Sequence, residues 1–167
     1  MRRVVVTGMG LVTPLGVGLD HNWGRLTNGE SGAVGIQKFD VSDLPAKIAA
    51  QVPRGDGSNG TFNPDNYVSA KDQRRIDEFI IYGVSAATEA VEDSGWKPEA
   101  EEDQERTGVM IGSGIGGLQT IYEGSTLLNA QSPRKVGPFF IPSALINLAS
   151  GQVSIKYGFK GPNHAVV

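Results

Sequence analysis

The residues best suited to chemistry form a glycine-rich segment in the middle of the chain. Residues 107–117 read TGVMIGSGIGG, in which a short apolar run is followed by glycines around Ser113 and Ile115. A short apolar run bounded by turn residues is typical of a buried strand, here followed by a loop and then a helix. Glycine permits positive φ angles and a close approach of the backbone to a ligand or to another backbone segment. The segment therefore predicts either a ligand-binding loop or a tightly packed structural turn.

The spacing of these glycines also matches the dinucleotide-binding fingerprint GxGxxG, through Gly112, Gly114 and Gly117. That fingerprint requires an acidic residue about 20 positions later, which binds the ribose hydroxyl. No Asp or Glu follows Glu123, so the region around Gly137 contains no acid. A nucleotide-binding module is therefore the weaker interpretation, and a structural glycine turn is the stronger one on spacing alone.

Charge is distributed unevenly along the chain. The net charge is −3, yet the charged residues that follow Glu123 are all basic, namely Arg134, Lys135, Lys156 and Lys160. Upstream, Lys71, Arg74 and Arg75 have a spacing that places them on one exposed face near the start of a helix. The first turn of a helix favours acidic side chains, so these cations have no evident local stabilising role. They indicate either a local surface for an anionic partner or an ordinary solvated face.

The elements that would position these residues alternate between strands and helices. Strands are expected at residues 2–7, 46–52, 108–111 and 163–167, because each is a short apolar or β-branched run. Helices are expected at residues 20–28, 69–95, 118–128 and 144–157, from their apolar periodicity. Strands alternating with helices predict an α/β fold with a mainly parallel sheet.

Three polar residues are expected to start helices. Asp20 would cap the first helix, whose Trp23 and Leu26 are predicted to point inward. Ser69 begins a capping box for a helix that is predicted to run without a break to Gly95. Ser143 is predicted to cap the last, buried helix.

Length and composition fit one globular domain. The chain has 167 residues, of which 39% are apolar and 20% charged. It has no apolar run of about 18 residues, and its N-terminal apolar run is interrupted at Gly8 too early for a signal peptide. The expected location is therefore the cytoplasm. The absence of cysteine excludes disulfides and thiolate metal sites, and no metal site is expected. The chain ends within an apolar run at Val167, which indicates a fragment or an interrupted strand.

Five segments together resemble one enzyme family, the β-ketoacyl-[acyl-carrier-protein] synthases, most closely the type II enzymes of bacterial fatty acid synthesis. These segments are RRVVVTGMGLVTPLG (2–16), KDQRRIDEFIIYG (71–83), GVMIGSGIGG (108–117), SPRKVGPFFIPSALINLASGQVSIKYG (132–158) and GPNHAVV (161–167). The resemblance implies a thiolase fold, an α/β architecture of five αβαβα layers built from two similar halves. Residues 1–167 would form most of the N-terminal half, and the C-terminal half would lie outside this sequence.

The resemblance also implies a reaction, the decarboxylating Claisen condensation of fatty acid elongation. An acyl chain passes to a cysteine, malonyl-carrier protein loses carbon dioxide, and the resulting carbanion attacks the acyl group. The cysteine and two catalytic histidines of the family are not expected in this chain. The cysteine would follow a few residues after Val167, and neither His21 nor His164 matches the family histidines. The chain alone is therefore expected to be inactive and unstable.

By the same resemblance, Ile115 and Phe140 line the acyl pocket, with Phe140 directed toward the partner subunit of a homodimer. The residues that match the docking positions for the acidic acyl carrier protein are Lys71, Arg74, Arg75, Arg134 and Lys135. No cofactor is expected besides the phosphopantetheine that the carrier brings, and neither nucleic acid nor a membrane is an expected partner. A noncatalytic relative, such as the chain-length partner of aromatic polyketide synthases, keeps the fold without the cysteine and is the alternative.

Overall fold

The computed structural model describes residues 2–130 and 132–167. Its β-strands are Val12–Thr13 (β1), Gly16–Val17 (β2), Ala33–Gly35 (β3), Ile48–Ala50 (β4), Val109–Gly112 (β5) and Asn163–Val166 (β6). Its α-helices are Leu19–Thr27 (α1), Ala70–Gln73 (α2), Glu78–Ser94 (α3), Glu101–Glu105 (α4), Leu118–Ala130 (α5), Phe140–Ala144 (α6) and Asn147–Tyr157 (α7). Short 3-10 turns lie at Pro64–Asn66 and Pro133–Lys135. The predicted α/β class is confirmed.

Among the described residues, the strands pair in three two-stranded sheets. β1 and β2 are antiparallel, as are β3 and β4, whereas β5 and β6 are parallel. In the parallel pair, Val109 lies opposite Asn163 and Gly112 lies opposite Val166. Parallel strands need a long crossover connection, and α5, α6 and α7 supply it. The predicted strands at 108–111 and 163–167 are therefore confirmed, and β4 lies within the strand predicted at 46–52.

The core lies between α3 and α7 and extends to β5. Its buried apolar residues are Phe62, Val68, Ile80, Ile81, Val84, Ala149 and Val153. The two helices pack against each other at Gly83, where a built Cβ would make an ordinary contact of 3.8 Å with the Cβ of Ala149. Each fully buried large apolar side chain contributes about 1.5–3 kcal/mol. This cluster therefore fixes α3 against α7, and with them the segments on either side of the glycine-rich loop.

The strand predicted at residues 2–7 is wrong. The structure assigns no strand to residues 2–11, and Val4 is 95% exposed. The following backbone binds helix α3 instead of a neighbouring strand. The N–H of Met9 donates to Asp93 Oδ2 at 2.9 Å, and the N–H of Leu11 donates to Glu89 Oε2 at 3.1 Å. A β-branched run favours a strand, but a strand forms only where another strand satisfies its backbone groups.

The helix predicted from Ser69 to Gly95 is in fact two helices. Ser69 is confirmed as the N-cap, because the N–H of Asp72 donates to Ser69 Oγ at 3.2 Å, while Asp72 Oδ2 accepts the Ser69 hydroxyl at 2.7 Å. However, α2 ends after one turn, and Asp77 caps a new helix, α3. The predicted end is correct, since Gly95 has a left-handed φ of 65°.

The last predicted helix is also broken. Ser143 lies inside α6, and its hydroxyl donates to the carbonyl oxygen of Phe139 at 2.6 Å rather than capping a helix. Leu145 is extended, with φ −75° and ψ 135°, so the helix stops there and α7 starts at Asn147. The predicted end at Gly158 is confirmed by its φ of 69°.

The inward orientation predicted for Trp23 and Leu26 of α1 is wrong, because these side chains are 64% and 58% exposed. They line an apolar cavity of about 540 Å³ with Leu11. The buried residue of α1 is Asn22, whose amide donates to the carbonyl oxygens of Gly16 and Gly18 at 3.0 and 2.8 Å. The predicted cap at Asp20 is wrong too, since Gly18 is the N-cap and no side-chain bond is made there.

Candidate functional site at the glycine loop

The glycine loop, residues 113–117, starts where the two parallel strands end. β5 and β6 run side by side as far as Gly112 and Val166, and the N–H of Ser113 donates to the carbonyl oxygen of Val166 at 3.0 Å. The hydroxyl of Ser113 accepts the N–H of Gly116 at 3.1 Å and so closes the turn. In open α/β sheets, ligands bind outside the carboxyl ends of the strands. The loop therefore occupies the usual position for a functional site.

Two glycines of this loop, Gly116 and Gly117, are required by the backbone packed against them. Gly116 has a φ of 77°, and a Cβ built there would lie 2.5 Å from the carbonyl oxygen of Ala144. The N–H of Gly117 donates to that same oxygen at 3.0 Å, and a Cβ on Gly117 would lie 2.7 Å from the carbonyl oxygen of Ser143. The close approach that these glycines permit is thus to the end of α6. Of the three GxGxxG glycines, only Gly117 is in such close packing, because a Cβ on Gly112 would lie 3.4 Å from the Val166 side chain and one on Gly114 would meet nothing within 4 Å.

A carboxylate at the start of α3 holds the helix that leaves the glycine loop. Asp77 Oδ2 accepts the N–H of Thr120 at 2.9 Å and the hydroxyl of Thr120 at 2.7 Å. The other oxygen, Oδ1, accepts the N–H of Phe79 at 3.3 Å and so caps α3. We refer to the pair Asp77–Thr120 as the clasp. The sequence analysis missed it: an acid just before an apolar helix is a recognisable cap, but no local pattern connects it to a residue 43 positions away.

The two predicted acyl-pocket residues lie in different environments. Ile115 is 65% exposed at the outer side of the glycine loop, where its glycine neighbours offer no side chains to pack against. Phe140 is half-buried and lies against α5, because a Cβ built on Gly124 would be 2.5 Å from the Phe140 ring. Large apolar side chains around the loop are also exposed, among them Leu118, Tyr122, Ile141 and Leu145. An exposed apolar surface of this kind is typical of a face that binds another protein segment or an apolar ligand.

The predicted docking residues, here called the docking cations, are Lys71, Arg74, Arg75, Arg134 and Lys135. They come from two segments that Arg75 connects. Its guanidinium lies 4.9 Å from the centre of the Phe139 ring, and its carbonyl oxygen lies 2.9 Å from the Ser143 hydroxyl oxygen. The other four cations are exposed, with Arg134 and Lys135 in the 3-10 turn. The prediction that Lys71, Arg74 and Arg75 share a helix face needs correction, because α2 ends at Gln73 and both arginines lie beyond it.

A charged network lies at the first residue of α3, next to Asp77. Glu78 forms ion pairs with Arg54 and Lys38. Burial by itself raises the pKa of Glu78, but hydrogen bonds from Tyr82, Arg54 and Lys38 lower it overall. Burial, with the neighbouring Glu78, raises the pKa of Tyr82 to about 12. These contacts tie the segment before α2 to α3.

The two histidines of the chain lie in separate parts of the structure. His164 lies in β6 opposite Met110, and His21 is half-buried with Nε2 3.2 Å from the carbonyl oxygen of Leu15. Within residues 2–130 and 132–167, no cluster of His, Asp or Glu is arranged to hold a metal ion. In the same residues no helix combines the length and apolarity needed to cross a membrane.

The parallel pair β5–β6, the helices packed on it and the glycine loop at its end form an α/β structure, and its match to solved ketosynthase structures assigns it to the thiolase fold. The chain belongs to the β-ketoacyl synthase N-terminal domain family, whose family model matches residues 1–167. It is 55% identical over 167 residues to 3-oxoacyl-[acyl-carrier-protein] synthase 2 of Rhizobium meliloti (strain 1021), covering 100% of this chain and 40% of that protein. The resemblance drawn from the sequence motifs is confirmed.

Solved structures agree with this assignment. The ishigamide ketosynthase/chain length factor matches 99% of this chain and 40% of its own, with a TM-score of 0.81 and 26% identity. A β-ketoacyl synthase from Burkholderia phymatum STM815 matches 99% of this chain and 39% of its own, with a TM-score of 0.75 and 27% identity. The chain thus spans about two fifths of the length of the relatives it matches.

Proposed function

We propose that the complete protein is a 3-oxoacyl-[acyl-carrier-protein] synthase of fatty acid elongation. An acyl group passes from its carrier to a cysteine thiolate, malonyl-carrier protein loses carbon dioxide, and the resulting enolate attacks the acyl carbonyl carbon. The cysteine thiolate leaves, and the β-ketoacyl group remains on the carrier. In this proposal the cysteine and the catalytic histidines follow Val167 in the complete protein, so residues 1–167 contain no catalytic residue and are inactive alone.

The single observation that carries the proposal is the position of the end of β6. The backbone of Val166 binds Ser113 at 3.0 Å, so residues that follow this strand emerge beside the glycine loop and Ile115. A thiol at a strand end that leads into a helix N-terminus has a lowered pKa, because the helix dipole stabilises the thiolate. A nucleophile there would face the exposed apolar surface of the loop, where an acyl chain can bind. The name of the 55% identical relative supports the same activity.

The docking cations fit an acidic acyl carrier protein as the partner. Four of the five are exposed, and Arg75 joins the two segments that contain them. Surface charges of this kind mainly raise the association rate with a partner of opposite charge. The carrier supplies phosphopantetheine, so we propose no resident cofactor and no metal. The proposed location is the cytoplasm.

The exposed apolar residues around the glycine loop fit a homodimer with an acyl pocket at its interface. In this proposal Ile115 limits the depth of the pocket, and Phe140 contributes to the pocket of the partner subunit. The large exposed side chains Leu118, Tyr122 and Ile141 would then be covered in the dimer or by the rest of the protein. Residues 1–167 alone would leave this surface in water, which is why we propose that they do not fold stably by themselves.

The proposal is tested with the complete protein, acyl-carrier protein and malonyl-carrier protein. Mass spectrometry should show an acyl-enzyme after incubation with acyl-carrier protein alone. Addition of malonyl-carrier protein should then release carbon dioxide and form the β-ketoacyl product. If the protein forms no acyl-enzyme and releases no carbon dioxide, the condensing activity is refuted.

A noncatalytic chain-length factor is the second candidate. The structure of the ishigamide ketosynthase/chain length factor matches this chain with a TM-score of 0.81, and its name includes both kinds of subunit. The identity of 55% with a synthase, against 26% with that protein, favours the enzyme. Chain-length factors lack the nucleophilic cysteine, so the residue at the end of β6 in the complete protein separates the two candidates.

A further inference from the structure

The clasp connects the start of α3 to the helix that follows the glycine loop. The two carboxylate oxygens of Asp77 have different roles. Oδ1 caps α3 by accepting the N–H of Phe79, and Oδ2 accepts the N–H of Thr120 at 2.9 Å and its hydroxyl at 2.7 Å. The carboxylate is half-buried, and hydrogen bonds to a charged acceptor are about twice as strong as neutral ones. The clasp is therefore a strong, directional attachment between two segments that are distant in sequence.

The glycine loop depends on such attachments because it has little stiffness of its own. Glycines have the greatest backbone freedom of any residue, and they lie on both sides of Ile115. The loop is held at its start by Ser113 bonded to Val166, and near its end by Gly117 bonded to Ala144, each at 3.0 Å. The clasp holds the helix immediately after it. A Cβ built on Gly117 would lie 3.0 Å from Asp77 Oδ2, so the carboxylate also contacts the loop itself.

We infer that Asp77 is a positioning residue that fixes Ile115 at the acyl pocket and thereby sets the discrimination between short and long acyl chains. This inference rests on the proposed function, in which Ile115 limits the pocket depth. Loss of the hydrogen bonds to Oδ2 releases the start of α5. The glycine loop can then move and admit a longer acyl chain into the pocket. Asp77 itself touches no reacting atom.

The substitution Asp77→Asn separates the two tasks of this side chain. Asparagine keeps one oxygen and is as good an N-cap as aspartate, so α3 stays capped. Its amide nitrogen would face Thr120 and cannot accept the backbone N–H, and it offers the Thr120 hydroxyl only a neutral bond in which the hydroxyl becomes the acceptor, so the clasp is weakened. Thr120→Val is a milder second variant that removes only the hydroxyl bond. Asp72→Asn is the matched control, because it removes the same charge five residues away from a carboxylate that bonds Ser69 within its own turn.

The experiment uses the complete protein and measures acylation rates with a series of acyl-carrier proteins of increasing chain length, together with thermal melting. In Asp77→Asn, the ratio of the short-chain to the long-chain acylation rate should fall about tenfold. A change in pocket depth equal to one methylene group alters selectivity by that order. Thr120→Val should give a smaller change in the same direction, and Asp72→Asn should leave the preference unchanged.

Ile115→Phe, measured in the same assay, distinguishes failure of the inference from failure of the proposed function. If Ile115→Phe changes the chain-length preference and Asp77→Asn slows all chains equally or slows none, the inference about Asp77 is wrong. The proposal that Ile115 limits the pocket depth is then still supported. If Ile115→Phe leaves the preference unchanged, Ile115 does not limit the pocket depth, and the positioning role of Asp77 is wrong as well.

Discussion

Adding one methyl group to the glycine loop should strongly destabilise the protein at one position and have almost no effect at another position two residues away. Gly116 has a φ of 77°, and a Cβ there would lie 2.5 Å from the carbonyl oxygen of Ala144 and 3.0 Å from the side chain of Ile146. Gly114 is two residues away, outside the positive-φ positions, and a Cβ there would meet nothing within 4 Å. The pair therefore offers a test in which the chemistry of the change is identical and only the packing differs.

The expected cost of Gly116→Ala follows from these contacts. A left-handed backbone costs a residue with a Cβ about 1–2 kcal/mol. Displacing the backbone at the end of α6 adds an overpacking cost of about 1–3 kcal/mol. Gly116→Ala should thus lower the free energy of unfolding by about 2–5 kcal/mol. Gly114→Ala should change it by about 0.5 kcal/mol or less.

The assay is denaturant unfolding of the complete protein and of both variants, followed by acylation rates for the variants that remain folded. Equal destabilisation by the two substitutions, or none by Gly116→Ala, would show that the loop does not pack on α6 as described. That result would also remove the structural explanation for the glycine at position 116.

Four further outcomes are expected. Ile115→Phe should slow acylation by long chains at least about tenfold relative to short ones, with a small change in melting temperature; equal slowing of all chains with a lower melting temperature would place Ile115 in the core. Arg74→Glu or Arg134→Glu should reduce the association rate with acyl carrier protein about tenfold at low salt and leave melting unchanged; a rate equal to wild type would identify an ordinary solvated face. Tyr157→Phe should maintain or raise stability, because the Tyr157 hydroxyl is buried without a partner in the described structure; a clear loss in melting temperature would show that this hydroxyl is bonded. The lowered pKa of Glu78 contributes stability that is present above its ordinary value of 4.5 and is lost as the pH falls through the folded-state value. Glu78→Gln should therefore be less stable than wild type at pH 7 and should lose less stability on acidification. A dependence of stability on pH equal to that of wild type would refute this.

The parts of the fold that the sequence predicted correctly are those set by local chemistry. Gly95 and Gly158 end helices in left-handed conformations, and Ser69 begins one through its bond with Asp72. The strands β5 and β6 were recognisable because each is a short apolar run next to glycine or proline. These features depend on a few consecutive residues, so periodicity and turn chemistry suffice to predict them.

The parts that were missed depend on contacts between distant segments. The break before α3 exists because Asp77 caps a new helix and holds Thr120, a partner that no local pattern reveals. The break at Leu145 brings the end of α6 against the glycine loop, where Gly117 binds Ala144. The strand predicted at residues 2–7 failed for a related reason, since a strand needs a neighbour that local sequence cannot supply. The docking cations and Ile115 were proposed from family resemblance, and their roles remain predictions.

The central claim is that β6 leads the nucleophile to the glycine loop, and peptide mapping of the acylated complete protein tests it most directly. The protein is incubated with acyl-carrier protein, digested, and searched for the added acyl mass. We predict that the acyl group lies on a cysteine within a few residues after Val167, in the peptide that continues β6. An acyl group on any other part of the protein, or condensation without any acylated cysteine, would contradict the proposal.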